Sequence, residues 1–302
     1  MTYRFKQNRK QRVLLYSHDS YGLGHLRRNL CIASAACQDE RQVLVLTGSS
    51  LAGNFCWPSG ADFVRLPGMV KVGRQSYVPD RLHLGAYELL KLRETVILET
   101  VRAFAPDVFI VDKVPVGLGG ELEKALHLLK GGRGCRIVLG LRDILDTPAE
   151  VVREWEQEKI SQVLERVYDE VWIYGKREIY NPVKEYPPLG RIAHKVFFLG
   201  YLSQKEQGFA QAGQAQDDLS TESILVTAGG GADGARLLEV FLDYYGSAAR
   251  RACPVELLAG PLLAGDVATA VQKRCQQAGV GFYHFHPHPE RLMDQSGLIV
   301  CM

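Results

Sequence analysis

Residues 13–30 read VLLYSHDSYGLGHLRRNL. The apolar run Val13 to Tyr16 predicts a buried strand. Gly22 and Gly24 punctuate a turn, and a helical pattern begins at His25. A strand that enters a helix through a glycine turn presents backbone N–H groups and the positive helix end to a ligand. His25 follows the second glycine directly, and Arg28 stands one helical turn further on. A loop that only cradled phosphate has no need of an imidazole. A loop that binds a polar substrate and moves a proton can use one.

Outward from this stretch, strand and helix signals alternate. QVLVLT (42–47) and DFVRL (62–66) are short apolar runs. Residues 85–104 carry Leu89, Leu90, Leu92, Val96, Ile97, Val101 and Phe104 at helical spacing, and Pro106 stops them. A strand is expected at 108–111, a helix at 119–130 stopped by Gly131 and Gly132, and a strand at 136–141. A helix follows from Pro148 to about Tyr168, then strands at 171–174 and 196–199. Residues 203–221, SQKEQGFAQAGQAQDDLST, are poor in large apolar residues and read as an exposed linker. The alternation then restarts: strand 223–227, glycine-rich turn 228–234, helix 235–245, strand 255–259, helix 264–278, and strands at 281–285 and 298–300. This predicts an α/β protein with two Rossmann-like, doubly wound parallel-sheet domains: 1–203, a linker at 204–221, and a partial second domain at 222–302. Ligands of such sheets bind outside the carboxyl ends of the strands, so two sheets facing each other would leave a cleft between them.

Composition sets the outer bounds. At 302 residues two domains are expected, and 46% hydrophobic with 23% charged residues is an ordinary globular profile. A net charge of +2 is too mild to argue for nucleic acid, and no RNA-binding or zinc-finger signature is present. The basic start, Arg4 to Arg12, reads as a solvated tail. No run approaches the roughly 20 apolar residues of a spanning helix, and the first residues lack the apolar region and cleavage site of a signal peptide. Seven cysteines with scattered spacing form no disulfide framework, which points to a reducing cytoplasm.

Six segments together carry a family resemblance: GLGHLRRNL (22–30), FIVDKVPVGLGGEL (109–122), IVLGLRDILD (137–146), YGKREIYNPVKEY (174–186), VFFLGYL (196–202) and ILVTAGGGADG (224–234). In this order and spacing the chain resembles the GT-B glycosyltransferases, in particular the branch like the peptidoglycan N-acetylglucosaminyltransferase (glycosyltransferase family 28). The resemblance implies two facing Rossmann-like domains, the first for the acceptor and the second for a nucleotide-sugar donor, a UDP-sugar being expected. It implies a hexosyltransferase; no cofactor is expected. Some relatives act on lipid-linked acceptors, which would bring the 85–104 helix to the inner face of the membrane as a peripheral contact. Its charges Lys91, Arg93, Glu94, Glu99 and Arg102 are the mark of a solvated face instead, and that plainer reading is favoured. The acceptor is not readable.

Within the resemblance, Gly22, Gly24 and His25 match the family's first glycine-rich loop. The same Gly-x-Gly-His-x-x-Arg spacing occurs in related nucleotide-sugar hydrolases, whose histidine resembles a general base. His25 is thereby the candidate base, which would take the proton of the attacking acceptor hydroxyl, with Arg28 its neighbour. The plain alternative is a histidine that caps or packs at the helix start. Asp112 and Lys113, and likewise Arg142 and Asp143, follow strands at the carboxyl edge of the sheet. Arg142 could fix an acceptor phosphate or carboxylate, and Asp143 could position Arg142, bind a sugar hydroxyl or serve the turn. A structural ion pair is the alternative. Asp112 is a second candidate base behind His25, and His18 and Asp19 could assist.

Gly229, Gly230 and Gly231 open the second domain where the family faces its donor. Glycines there let a diphosphate come close to the backbone. The order Gly-Gly-Gly-Ala-Asp-Gly is not the dinucleotide fingerprint. Phe285 and His286 fall where the family's loop lies by the donor base. His284, His286 and His288 alternate, which raises a metal reading, but Pro287 and Pro289 interrupt the segment and no carboxylate or cysteine cluster completes a site.

The sequence departs from the family after Ile299-Val300-Cys301-Met302. A Gly-Gly-x-x-Thr loop for the diphosphate and a carboxylate for the ribose are expected beyond that strand. The 302-residue chain alone is therefore expected to show little transferase activity and weak donor binding. The alternatives are a nucleotide-sugar hydrolase or epimerase on the same scaffold, or a non-catalytic sugar-binding remnant.

Overall fold

The structure, a computed structural model, describes residues 10–19, 23–72, 77–132, 134–157, 159–202, 223–247 and 253–302. The linker expected at 204–221 lies outside the described residues. The chain divides into two compact units, Met1–Ser20 with Gly24–Ala210, and Tyr21–Leu23 with Gln211–Met302.

In the first unit β1 (Arg12–Ser17) leads through α1 (Gly24–Gln38) to β2 (Gln42–Thr47) and β3 (Ala61–Arg65). A short antiparallel pair, β4 (Met69–Lys71) with β5 (Tyr77–Pro79), precedes α2 (Ala86–Phe104). Then come β6 (Val108–Asp112), α3 (Glu123–Gly131), β7 (Arg136–Arg142), α4 (Pro148–Gln157), α5 (Ile160–Arg166), β8 (Glu170–Tyr174), two short helices α6 (Pro182–Glu185) and α7 (Pro187–Arg191), and β9 (Val196–Phe198). Seven strands form one parallel sheet in the order β3-β2-β1-β6-β7-β8-β9. The chain winds one way from β1 to β3 and returns to wind the other way from β6. The topological switch point therefore lies between β1 and β6, where a doubly wound sheet exposes a ligand crevice at its carboxyl edge.

The central strands are apolar on both faces because helices cover both. Leu14, Tyr16, Phe109, Val111, Leu139 and Leu141 pack on one side with Ile97 and Val101 of α2 and Leu126 of α3. Val13, Leu15, Val45, Ile110 and Val138 face the other side with Ala33 and Ala36 of α1. In register, Val13 pairs with Val108 and Tyr16 with Val111. The next step brings the ends of the two strands side by side.

Three expectations for the first unit are corrected. Arg93 is not part of a solvated face: it is fully buried, while Lys91, Glu99 and Arg102 on the same helix are exposed. Its Nε donates to Glu121 Oε2 at 2.6 Å, Nη2 to Oε1 at 2.7 Å, and Nη1 to the Pro67 carbonyl at 2.6 Å. The Tyr16 hydroxyl donates to Glu121 as well. A carboxylate reaching in from the β6–α3 connection is what makes this buried cation tolerable. The helix expected at 119–130 begins only at Glu123, because Gly120 turns left-handed (φ 82°) before it. The helix expected from Pro148 to Tyr168 is two helices, broken at Lys159, whose φ is 55°.

The second unit runs β10 (Ile224–Thr227), α8 (Ala235–Ser247), β11 (Val255–Leu258), α9 (Gly265–Ala278), β12 (Gly281–Tyr283), α10 (Pro289–Asp294) and β13 (Leu298–Cys301). Its parallel sheet has the order β12-β11-β10-β13, so its own switch point falls between β10 and β13. Val226 and Leu257 pack against Leu238 and Leu242 of α8 and Val271 and Cys275 of α9. β12 stops at Tyr283, two residues short of expectation, because its partner β11 ends opposite it. Among the described residues no helix is long and apolar enough to cross a membrane.

Candidate functional site

At the carboxyl end of β1 the chain passes through His18 to Asp19, which adopts a left-handed backbone (φ 42°) that non-glycine residues avoid. Side chains hold it there. Asp19 Oδ2 accepts from Ser17 Oγ and from Thr47 Oγ1, each at 2.5 Å, and Asn29 Nδ2 donates to Ser17 Oγ at 2.8 Å. The ends of β1 and β2 and the second turn of α1 are thus tied together. Burial raises the Asp19 carboxyl above the usual carboxylate range, and its two hydroxyl donors oppose that rise. His18, also buried, is pushed down to about 3 by burial, with the neighbouring His25 and Lys113 acting in the same direction. It is a neutral imidazole at physiological pH. Its ring centre lies 5.4 Å from that of His25.

His25 is the second residue of α1, and its Nδ1 lies 2.7 Å from Asp112 Oδ2. Asp112 is the last residue of β6 and is 1% exposed, whereas the His25 side chain keeps 18% of its surface in water. The contact crosses the β1/β6 switch point and joins residues 87 apart in sequence. Arg28 Nη1 donates to both Asp112 oxygens, at 2.7 and 3.0 Å. The Arg28 guanidinium lies 5.0 Å over the ring of Tyr174, the last residue of β8. Burial pushes the Tyr174 phenol up, so it stays protonated. A carboxylate on Nδ1 fixes the imidazole tautomer with Nε2 as the bare, basic nitrogen.

The structure thus brings His18, Asp19, His25, Arg28 and Asp112 together at one switch point. It makes Asp112 the partner of His25, where the sequence offered it as a rival base. Gly22 lies outside the described residues. Gly24 opens α1 with ordinary helical backbone. Arg142 and Asp143, one strand along, do not pair with each other. Arg142 Nη2 donates to the Leu145 carbonyl at 2.9 Å, while Asp143 accepts from the Ile144 N–H and the Tyr201 hydroxyl, both at 2.9 Å. The network of Asp19 with Thr47 and Asn29, and the role of Tyr174, have no sequence motif of their own.

In the second unit, Gly229–Gly231 form the turn after β10. Gly231 (φ 90°) packs backbone to backbone against Gly260 (φ 90°) in the turn after β11, and Leu262 N–H donates to the Gly230 carbonyl at 2.9 Å. Phe285 and His286 are half-buried beyond β12. His286 stands edge-on to Tyr283, and its Nδ1 accepts from the His288 N–H at 3.1 Å. His288 Nδ1 lies 3.1 Å from Glu290 Oε1. These ring nitrogens are engaged within the segment, and among the described residues no group of three or more metal-ligating side chains forms.

No family model matches the chain, and no curated protein matches it. Solved structures do. MurG from Acinetobacter baumannii superimposes with a TM-score of 0.50 at 13% identity, over 96% of this chain and 73% of that one. A UDP-glucose:anthocyanidin 3-O-glucosyltransferase solved with UDP gives 0.53 at 12% identity, over 97% and 76%. HepE from Anabaena, solved with UDP and glucose, gives 0.52 at 13%, over 96% and 73%. At such identities the likeness is one of fold: the chain has the two-domain Rossmann-like architecture of the GT-B glycosyltransferases.

Proposed function

We propose that this protein is a glycosyltransferase that moves a sugar from a UDP-sugar to an acceptor hydroxyl, with His25 as general base and Asp112 as its partner. The observation that carries the reading is the 2.7 Å contact between His25 Nδ1 and the buried Asp112 carboxylate at the switch point of the first sheet. With Nδ1–H donated to Asp112, Nε2 is free to take the acceptor proton. The acceptor oxygen forms its bond to the anomeric carbon as the bond from that carbon to the diphosphate breaks. The imidazolium so formed is stabilised by Asp112. Such base assistance contributes on the order of 10²–10⁴ in rate.

The donor class is inferred from fold relatives, two of which were solved with UDP. On the donor side we place Gly229, Gly230 and Gly231, with Phe285 and His286 beside the base. On the acceptor side we place Gly22 and Gly24, with Arg142 and Asp143 at the neighbouring strand end, where the Arg142 side chain is exposed. The test incubates the protein with a panel of UDP-sugars, with and without candidate acceptors, and follows UDP release. Because the 302 residues alone are expected to turn over little and bind donor weakly, the assay is run on a chain that also carries the diphosphate loop and ribose carboxylate expected beyond β13. Acceptor-dependent release there, lost in His25→Ala while UDP affinity measured by calorimetry is kept, is the expected result. Release that needs no acceptor would make the same dyad that of a hydrolase. UDP affinity lost together with turnover would make His25 a ligand contact and end its assignment as the base.

A further inference from the structure

We infer that Arg28 is a positioning residue for the His25–Asp112 pair and not a substrate ligand: it aims the Asp112 carboxylate and takes up part of its charge. One nitrogen, Nη1, reaches both carboxylate oxygens, including the Oδ2 that faces His25 Nδ1. That grip fixes the rotation of the carboxylate. The guanidinium is fixed in turn by the face of Tyr174, 5.0 Å away, a contact that arginine makes well and lysine poorly. Tyr174 can stand there only because β7 carries Gly140 beside it: a Cβ at that position would fall 2.1 Å from the tyrosine hydroxyl oxygen. β6, β7, β8 and α1 therefore all contribute to the placement of one arginine.

The consequence is electrostatic. A buried carboxylate with histidine as its sole cationic partner favours the doubly protonated imidazolium, which cannot act as a base. Here the carboxylate already has a permanent cation. Among the described residues, the charged and titratable groups around His25 are His18 and Asp19 from the end of β1, Asp112 from β6 and Arg28 from its own helix, with Lys113 acting on the neighbouring His18. Of these, Arg28 is the one whose charge opposes that of Asp112 at hydrogen-bond distance. The value of this arrangement to catalysis rests on His25 being the base. The positioning itself does not, and it can be read without any substrate.

The experiment is nitrogen NMR of histidine-labelled full-length protein at neutral pH, which distinguishes a bare from a protonated ring nitrogen. In the native chain His25 should show Nδ1 protonated and Nε2 bare. In Arg28→Gln the ratio of imidazolium to neutral ring should rise roughly tenfold, the usual consequence of leaving one carboxylate charge uncompensated beside a histidine. Arg28→Lys, which keeps a cation but not the two-oxygen grip, should fall between them and carries the test if the glutamine variant does not fold. A His25 signature unchanged in both folded variants overturns the proposal. So does a loss of UDP or acceptor affinity with that signature unchanged, which would make Arg28 a ligand. Failure of His25→Ala to affect turnover would instead remove the base assignment and leave the positioning result standing.

Discussion

The two units each enter their first helix through a glycine-bearing turn at a switch point, and they fill that turn in opposite ways. After β1 the turn is a site of side chains: His18, Asp19, His25, Arg28 and Asp112 converge there. Its described glycine, Gly24, has no described residue within 4 Å of the position of a Cβ. After β10 the turn is backbone. Gly229 and Gly231 are left-handed, and Gly231 lies against Gly260 so closely that a Cβ on Gly231 would fall 2.5 Å from the Ala259 carbonyl. The same strand–turn–helix topology thus gathers ionisable side chains in one place and allows close backbone approach in the other. Glycine in a sequence motif does not say which; the burial and charge around it do.

The largest expected effect breaks the first turn through its shared carboxylate. Asp112→Asn removes the charge that both His25 and Arg28 use. Turnover should fall by about 10² or more. Stability should fall by about 3 kcal/mol, the low end for a broken buried pair, because Arg28 keeps 19% of its side chain in water. Urea unfolding followed alongside UDP release separates the two losses. A variant with native turnover would remove Asp112 from the mechanism.

The second turn should break only through its backbone. A Cβ at Gly260 would meet the Gly230 carbonyl carbon at 2.5 Å and the Gly229 oxygen at 2.6 Å, at a φ of 90° that alanine avoids. Gly260→Ala should cost about 3 kcal/mol, from strain and overpacking together. Amide exchange in β10 and β11 reads this better than a melting curve, since a chain of two units need not unfold in one step. Unchanged protection there would mean that the two turns are not locked together.

Much of this was legible in the sequence, and what was not has a common cause. Continuous apolar runs announced every central strand, because a sheet covered on both faces leaves no polar alternation. α2 stops just before Pro106 and α3 at Gly131, as the proline and the glycine pair there predict. The contact between His25 and Asp112 was not legible, since it depends on β1 and β6 being neighbours, and strand order is set by the winding of the whole unit. Arg93 looked like one charge among several on α2. Only the long-range arrival of Glu121 and the Pro67 carbonyl makes its burial tolerable. Lys159 breaks a helix by taking a left-handed conformation that no propensity marks. Local pattern fixes elements; partners across the sheet fix the site.

His18 gives the comparison a pH dependence that the second turn should lack. Its folded-state pKa is depressed from 6.5 to about 3, so between these values the unfolded chain binds the extra proton. Stability of the first unit is full above pH 6.5 and falls as the pH drops, by about 2 kcal/mol at pH 5. Asp19, raised by burial, works in the opposite direction in acid and offsets part of the loss. His18→Gln should therefore tolerate mild acid better than the native chain when the two are compared at equal stability at neutral pH. Equal acid sensitivity would mean that His18 is solvated in the folded state.

The smallest effect bears most directly on what the first turn is for. Gly24 sits at the start of α1, is not left-handed, and has nothing among the described residues within 4 Å of a Cβ. Nothing among the described residues requires a glycine there. Gly24→Ala should leave stability unchanged or raise it by up to about 1 kcal/mol, by helix propensity and a less flexible unfolded chain. If UDP release then proceeds at the native rate, the glycine has no functional use either. If release slows in a protein that has become no less stable, the methyl group obstructs a bound substrate. The bare backbone at Gly24 is then kept for the ligand, as a counterpart to the glycines after β10, which the fold itself requires.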